Sequence, residues 1–220
     1  MIFIKKNKTP TLLKKYQADP NSKFESMDGK DKNRLREILS EEQNGLCAYC
    51  MQRIRPDSSS VKIEHIKPQS RFPEDDLNYN NMVAVCTGGQ GYPRKNQTCD
   101  TRKGDLELKI LSPVQSNVER YIIYNKSGWI AASGDLTSRE QELVNSDLEN
   151  VLNLNCRKLI RNRKSVLDGY IQAVAGEFKG KKVPRHYWEK EEEDYRAGAR
   201  ASDPYKGIIL NYFNKKLKSI

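Results

Sequence analysis

The chain has 220 residues, of which 36% are hydrophobic and 31% are charged. This length suits one sizeable domain, or a compact domain with a second one appended. Lysine and arginine total 39 against 29 acidic residues, and the net charge of +10 favours a polyanionic partner such as nucleic acid. No apolar run approaches the ~18 residues of a membrane span, and the N-terminus lacks the apolar core of a signal peptide. We therefore expect a cytoplasmic protein without membrane contact, in which disulfides are not expected.

The first regular element is predicted only after an irregular start. Residues 1–30 contain prolines and a glycine that interrupt any pattern, and they are predicted to form an irregular arm. From residue 31 to about residue 44 the apolar side chains, among them Leu35 and Ile38, follow a helical spacing. Gly45 is suited to end this helix.

A strand, a long loop and a second apolar segment follow. Residues 61–66 ("VKIEHI") alternate between apolar and polar side chains, which is typical of a strand. Residues 67–81 are rich in turn formers and form a long loop of the kind that is functional or tied down. Residues 82–86 ("MVAVC") are a short apolar element, residues 87–98 a glycine-rich insertion, and residues 99–108 open a helix.

The remainder of the chain is predicted to be mainly helical after one hairpin. Strand character surrounds a turn at residues 125–128. Thr137 and Glu140 have the spacing of a capping box at a helix start. Residues 156–178 carry apolar side chains with a 3.6-residue period, and a last helix is predicted over residues 205–217.

Four of the five cysteines have the arrangement of a metal site. Cys47 and Cys50 form a C-x-x-C pair. Cys86 and Cys99 are separated by twelve residues, and the glycines among them would let this loop bulge out and bring Cys99 back to Cys86. Two such pairs on separate turns suit a tetrahedral, structural Zn²⁺. The alternatives are four unrelated buried cysteines, or a redox pair, although no thioredoxin-like pattern surrounds it. The fifth cysteine, Cys156, is expected to be a small core residue.

The segment between these cysteine pairs carries candidate catalytic residues. His65 has a side chain whose ordinary pKa suits a general base. Glu64 and Asp100 could together hold one Mg²⁺, which prefers oxygen ligands. Phosphodiester hydrolysis needs such a base and such a cation. Neighbours on a strand point to opposite faces, so Glu64 and His65 could share one phosphate only if the strand end twists or bulges.

The motifs "CAYC", "IEHIKPQS", "LNYNNMVAVC" and "CDTRKG" resemble the HNH endonuclease family, which has a ββα-metal fold. The resemblance assigns the first histidine of the family pattern to His65, with Glu64 before it, and the middle asparagine to Asn81. The last position falls on Asp100, where asparagine or histidine is commoner. This match covers about 60 of the 220 residues. In the wider chain, "FIKKNKTPTLLKKYQ" and "EEQNGLCAYCMQRI" resemble PtuB-like HNH effectors of Septu and retron anti-phage systems, whose partner is an ABC-type ATPase.

The resemblance implies roles for individual residues. His65 would activate water, Glu64 and Asp100 would hold a catalytic Mg²⁺ or Mn²⁺, and Asn81 would orient His65 or the loop backbone. Lys103 and Arg102, one turn past Asp100, could bind flanking phosphates, and Lys67, Arg71 and Arg53 are weaker candidates for the same task.

Other interpretations of these residues remain open. His65 could replace one cysteine as a zinc ligand. Asn81 could be a turn residue, with Asn80 competing for its role, and Lys103 could be an ordinary surface lysine. His186, beside two aromatic residues, is expected at the surface or in a partner interface.

The sequence thus predicts an α+β fold in which a zinc-clamped ββα-metal core lies inside a larger, mainly helical frame. The predicted divisions are an arm over 1–30, a nuclease core over 31–112, and a helical region over 113–220 that docks a partner or buttresses the core. The predicted function is metal-dependent cleavage of nucleic acid within an anti-phage complex. RNA (for example tRNA) is the alternative substrate to DNA. A non-catalytic zinc module that binds nucleic acid, or a structural subunit with a decayed site, are the alternative functions.

Overall fold

The computed structural model describes residues 1–56 and 59–219. The described chain is mainly helical and contains two small antiparallel sheets. In that part of the chain, no helix combines the length and the apolar character needed to cross a membrane. In chain order the elements are α1 (Thr11–Gln17), α2 (Gly29–Glu42), β1 (Val61–His65), β2 (Met82–Cys86), α3 (Cys99–Lys103), β3 (Ile122–Tyr124), β4 (Ile130–Ala132), α4 (Ser138–Ser146), α5 (Arg157–Phe178), α6 (Arg185–Arg196) and α7 (Lys206–Lys218).

The N-terminal segment is more regular than its sequence predicts. Residues 11–17 form α1, which starts directly after Pro10 and buries Leu13 in the core. A proline at a helix start does no harm, because the first N–H groups of a helix have no partner within it. The predicted helix over 31–44 is confirmed as α2, and Gly45 lies past its end with a positive φ of 68°.

The first sheet pairs β1 with β2 in an antiparallel register that places Glu64 opposite Val83 and His65 opposite Met82. The strand predicted at residues 61–66 is confirmed as Val61–His65, and the short apolar element at residues 82–86 is also a strand. All five residues of β2 are buried, as expected for a strand covered on both faces. The Gln43 side chain, at the end of α2, accepts a hydrogen bond from the Ala84 N–H and donates one to the Ala84 carbonyl, both at 2.7 Å. Helix α2 is thereby bonded to the middle of β2.

The second sheet is the predicted hairpin of β3 and β4. The Asn125 side chain holds its turn by accepting hydrogen bonds from the N–H groups of Ser127 (2.9 Å) and Trp129 (3.0 Å). Gly128 closes the turn with a φ of 87°, and a Cβ atom there would overlap the carbonyl of Ile160 in α5. The hairpin therefore packs against α5 at a distance that only glycine permits.

Replacing Gly128 with alanine is expected to destabilise the protein by about 1–3 kcal/mol, because both the positive φ and the lack of space disfavour a side chain. Gly134→Ala is the matched control, since a Cβ at Gly134 meets no atom within 4 Å. Thermal and urea unfolding of both variants measures the difference. Equal stability of the two variants would contradict this account of the hairpin.

The C-terminal helices contribute further buried side chains to the core. Helix α5 confirms the prediction for 156–178, and the capping box of Thr137 and Glu140 is present at the start of α4. The apolar stripe of α5 includes the buried Arg163, whose guanidinium donates to the carbonyls of Gly128 (2.6 Å) and Leu154 (2.8 Å). Burial lowers the pKa of Arg163, and these carbonyls replace the water that the charged group has lost.

The helical region also contacts the cysteine-bearing segments directly. The Cys99 N–H donates to the Leu152 carbonyl at 2.9 Å, and the Tyr205 N–H donates to the Met51 carbonyl at 2.8 Å. Asp147 is buried and accepts hydrogen bonds from three consecutive backbone N–H groups at residues 109–111. These hydrogen bonds connect the region after α4 directly to the turn after α2, to the start of α3 and to residues 109–111.

Candidate metal centre and active site

The four predicted cysteines converge in the interior of the protein. The first pair lies on a tight turn after α2, the third cysteine ends β2, and the fourth begins α3. Their sulfur atoms all lie within 4.8 Å of one another. The Cys47 and Cys99 sulfurs are 3.9 Å apart, and those of Cys50 and Cys86 are 3.8 Å apart. The cluster is therefore formed by residues that lie far apart in the chain.

This geometry fits a zinc ion. Sulfurs at the corners of a tetrahedron, each ~2.3 Å from its centre, lie about 3.8 Å from one another. The observed separations of 3.8 and 3.9 Å match that edge. All four cysteines are buried, and the cluster could hold Zn²⁺ as a closed, structural site. His65 is not a member of this cluster.

Residues 87–98, which we name the glycine loop, bring the fourth cysteine back to the cluster. The Thr98 N–H donates to the Gly88 carbonyl at 2.8 Å, so the two ends of the loop lie side by side. Gly88 has a φ of 54°, and a Cβ atom there would overlap the Thr98 carbonyl. This close approach agrees with the role predicted for the glycines, which is to let the loop bring Cys99 back to the other cysteines.

Glu64 lies next to the cysteine cluster and is almost fully buried. Its Oε1 accepts a hydrogen bond from the Tyr49 hydroxyl at 2.9 Å and forms an ion pair with the Lys103 ammonium, also at 2.9 Å. Burial raises the pKa of Glu64 to about 8, an effect that Lys103 opposes and the nearby Asp100 reinforces. The Asp100 carboxylate therefore lies close enough to disfavour ionisation of Glu64.

Asp100 lies in the first turn of α3, as predicted. Its carboxylate accepts a hydrogen bond from the Lys62 ammonium at 3.0 Å, and the same ammonium reaches the Thr101 hydroxyl at 3.0 Å. Lys62 and Glu64 lie on the same face of β1, two residues apart. Each candidate carboxylate thus has its own lysine.

His65 turns away from these carboxylates toward the long loop. Its Nε2 lies 2.8 Å from the Asp76 carbonyl, and its ring packs edge-on against Phe24 with the centroids 4.9 Å apart. A carbonyl only accepts, so Nε2 carries the proton and Nδ1 has the free lone pair. Burial lowers the pKa of His65, which favours this neutral form.

Asn81 ties down the long loop between the strands. Its side-chain carbonyl accepts from the Lys67 N–H at 2.8 Å, and its amide donates to the carbonyls of Lys67 (3.1 Å) and Asp75 (3.2 Å). Asn81 was predicted to orient either His65 or the loop backbone, and these three hydrogen bonds are with the loop backbone. Asn80 is exposed. The Asp76 carbonyl bonds the His65 ring, and Asn81 bonds the neighbouring Asp75. Asn81 therefore acts on the imidazole only indirectly, through the loop backbone.

The predicted phosphate-binding residues lie in different environments. Lys103 is buried in its pair with Glu64, with 1% of its side chain exposed, and also donates to the His65 carbonyl at 3.1 Å. It belongs to the interior of the candidate site and is not a surface lysine. Lys67 is exposed and pairs with Asp75 at 2.7 Å. Arg71 lies 3.7 Å from Glu107, and Arg102 donates to backbone carbonyls.

Two residues of this site were not predicted, namely Tyr49 and Lys62. The alternation of β1 could have indicated Lys62, since residues two apart on a strand share a face. The contact of Tyr49 with Glu64 depends on how the C-x-x-C turn packs against β1, and no spacing in the sequence encodes it.

Removing the buried ammonium is expected to be far more damaging than removing the outer one. Lys103→Met leaves Glu64 buried without its charge partner, and we expect a loss of about 3–5 kcal/mol in the free energy of unfolding. Lys62→Met is the matched control, because that pair is partly exposed (31% and 21% of the side chains) and contributes under ~1 kcal/mol. Urea unfolding at pH 9, above the pKa of Glu64, compares the two, and equal losses would contradict the assignment of Lys103 to the interior.

Comparison with known proteins identifies a relative of the chain. No protein-family model matches the chain. The chain is 29% identical over 107 residues to the Septu protein PtuB of Bacillus thuringiensis. The match covers 47% of this chain and 40% of that protein, so the chain spans well under half of the length of its relative. This weak similarity supports a Septu-like relation.

Proposed function

We propose that the protein is a metal-dependent HNH endonuclease that hydrolyses nucleic-acid phosphodiesters. The observation that carries the proposal is the closeness of the Glu64 and Asp100 carboxylates near a cysteine cluster that could hold zinc, with His65 following Glu64 on β1. The order of two antiparallel strands followed by a short helix, β1–β2–α3, supports the ββα-metal core that the sequence motifs suggest. The net charge of +10 suits a polyanionic substrate.

In the proposed reaction His65 is the general base. The proton on Nε2 is held by the Asp76 carbonyl, so Nδ1 is the atom that would take a proton from the attacking water. Asn81 would act as a positioning residue, since its bonds to Lys67 and Asp75 fix the loop that carries the Asp76 carbonyl.

Glu64 and Asp100 offer the hard oxygen ligands that Mg²⁺ or Mn²⁺ prefers. Their closeness, which contributes to the raised pKa of Glu64, fits a position for a cation between them. The ion would supply positive charge for the phosphate in the transition state. Lys103 and Lys62 neutralise these carboxylates in the metal-free protein, and a divalent cation would have to compete with both ammonium groups.

The biological setting proposed is anti-phage defence. The similarity to a Septu protein supports it, and the resemblance of the wider sequence to Septu and retron effectors adds an ABC-type ATPase as partner. Residues around His186 are a candidate surface for that partner, since His186 is exposed at the start of α6. Co-purification of the two proteins from cells that express both tests this part of the proposal.

A second candidate function is a non-catalytic zinc module that binds nucleic acid. The ion pairs of Glu64 with Lys103 and of Asp100 with Lys62 favour it, because they satisfy both carboxylates without a cation. Incubation of the protein with DNA and with RNA, in Mg²⁺, in Mn²⁺ and in EDTA, separates the two functions. Metal-dependent cleavage of either polymer supports the nuclease, whereas binding without cleavage, with the ATPase also present, supports the module.

A further inference from the structure

The tip of the glycine loop displays an aromatic side chain to solvent. Tyr92 is 66% exposed, while the next large hydrophobic side chain among the described residues, Leu106, is 42% exposed. Aromatic residues usually bury most of their surface. Tyr92 contributes little to the core, so its ring is available to a ligand.

The charge around Tyr92 is entirely positive within the loop. Residues 87–98 include Arg94 and Lys95 and contain no acidic residue. Both basic side chains are exposed, and neither forms an ion pair within residues 1–56 and 59–219. Most other basic residues near the candidate site are paired with a carboxylate. The loop therefore combines an open aromatic face with two free positive charges.

The loop is held in place by hydrogen bonds. Within it, the Tyr92 N–H donates to the Gly89 carbonyl at 3.0 Å, and the Gln97 amide donates to the Tyr92 carbonyl at 2.9 Å. From outside, the Asn153 amide donates to the carbonyls of Lys95 (3.0 Å) and Gln97 (2.8 Å). A preorganised loop loses little conformational entropy when a ligand binds.

The base of the loop adjoins the candidate active site. The Thr101 hydroxyl donates to the Thr87 carbonyl at 2.7 Å and also contacts the Lys62 ammonium that pairs with Asp100. Arg102 donates to the Arg94 carbonyl at 3.2 Å. A polymer that runs across Asp100 would therefore meet this loop next.

We propose that the glycine loop is a binding site for single-stranded or locally unpaired nucleic acid. Tyr92 stacks on the face of one base, and Arg94 and Lys95 contact the flanking phosphates. An aromatic side chain on an exposed tip needs an accessible base face, which a paired and stacked duplex does not offer away from its ends. The inference rests on the proposed function and adds to it the strand state of the substrate.

The test is a titration of labelled single-stranded DNA and RNA, read by fluorescence anisotropy, with His65→Ala as the common background so that nothing is cleaved. Tyr92→Ala is expected to weaken binding about 5- to 150-fold, the effect of losing one stacked base at ~1–3 kcal/mol. Tyr92→Phe keeps the ring and is expected to bind within about two-fold of the background protein. Trp129→Ala, which removes a 39% exposed aromatic from the β3–β4 hairpin, outside the glycine loop, is the matched control and is expected to have no effect.

The charges are tested separately from the ring. In the double variant Arg94→Ala, Lys95→Ala, the slope of log affinity against log salt should fall by about 1–2, the value for one or two lost phosphate contacts. A labelled duplex of the same sequence is expected to bind more weakly than the single strand and to be insensitive to Tyr92→Ala.

The possible failures can be told apart. Binding of single strands that is unchanged by Tyr92→Ala overturns the inference and leaves the proposed function intact. A tighter duplex complex that also depends on Tyr92 overturns the choice of single strands. If the background protein binds no nucleic acid and the wild type cleaves none, then both the inference and the proposed function are wrong.

Discussion

Replacing His65 with alanine is expected to reduce nucleic-acid cleavage by about 10²- to 10⁴-fold, the usual contribution of a positioned general base. The substitution removes the lone pair on Nδ1 and leaves the candidate metal ligands Glu64 and Asp100 unchanged. Initial rates of plasmid and RNA cleavage in Mg²⁺ give the size of the effect. Unchanged cleavage would show that another group activates the water.

Two controls separate a catalytic loss from a folding defect. His186→Ala removes the other histidine of the chain, which is exposed on α6, and should leave the rate unchanged. His65 packs against Phe24 and bonds the Asp76 carbonyl, so its loss also removes packing. Zinc content and nucleic-acid affinity of His65→Ala should nevertheless stay near the wild-type values, because the cysteine cluster and the glycine loop are untouched.

Replacing Cys47 with serine is expected to remove zinc and unfold much of the protein. Structural zinc binding is worth about 10–16 kcal/mol in zinc-finger peptides, which is as large as the entire ~5–15 kcal/mol stability of a typical domain. The cluster joins the turn after α2 to β2 and α3, and no single element holds all four cysteines. Loss of one ligand should therefore loosen three elements together.

The measurements are metal content and thermal unfolding, with Cys156→Ser as the matched control. Cys156 lies outside the cluster, at the N-cap of α5, where serine is a favoured residue. The Cys156→Ser variant should therefore be as stable as the wild type or slightly more stable. The wild type should contain one zinc per chain, and chelation should reproduce the Cys47→Ser phenotype. A folded Cys47→Ser protein that retains zinc would contradict the four-cysteine site.

Local patterns were sufficient to predict most of the regular structure. The strand at 61–65, the capping box at the start of α4 and the long helix α5 are encoded by nearby residues, and all three are confirmed. Residues 82–86 were predicted only as a short apolar element, and they form β2. Helix α1 was not predicted because it is only seven residues long and lies between turn-forming residues. Short helices depend on burial of a residue such as Leu13 more than on propensity.

The candidate site was predictable only in part, for a related reason. Cysteines that need one metal must converge, so the spacing of the four residues was informative without any knowledge of the packing. The partners of the carboxylates were different. Whether Lys103 is a surface lysine or the buried partner of Glu64 depends on how α3 lies against β1, and nothing within five residues of Lys103 encodes that angle. The division of the chain at residues 30 and 112 stays a prediction.

The backbone bonds that join Tyr205 to Met51 and Leu152 to Cys99 also constrain when the metal site can form. A ribosome delivers the cysteines first and the residues that support them much later, since chains fold from the N-terminus as they emerge. A nascent chain that ends with α4 has all four sulfurs but lacks the carbonyl of Leu152 and the N–H of Tyr205 that fix two of the cysteine-bearing segments. Zinc can bind such a chain only in a site whose walls are incomplete. Completion of the centre therefore requires residues that are synthesised long after the four cysteines.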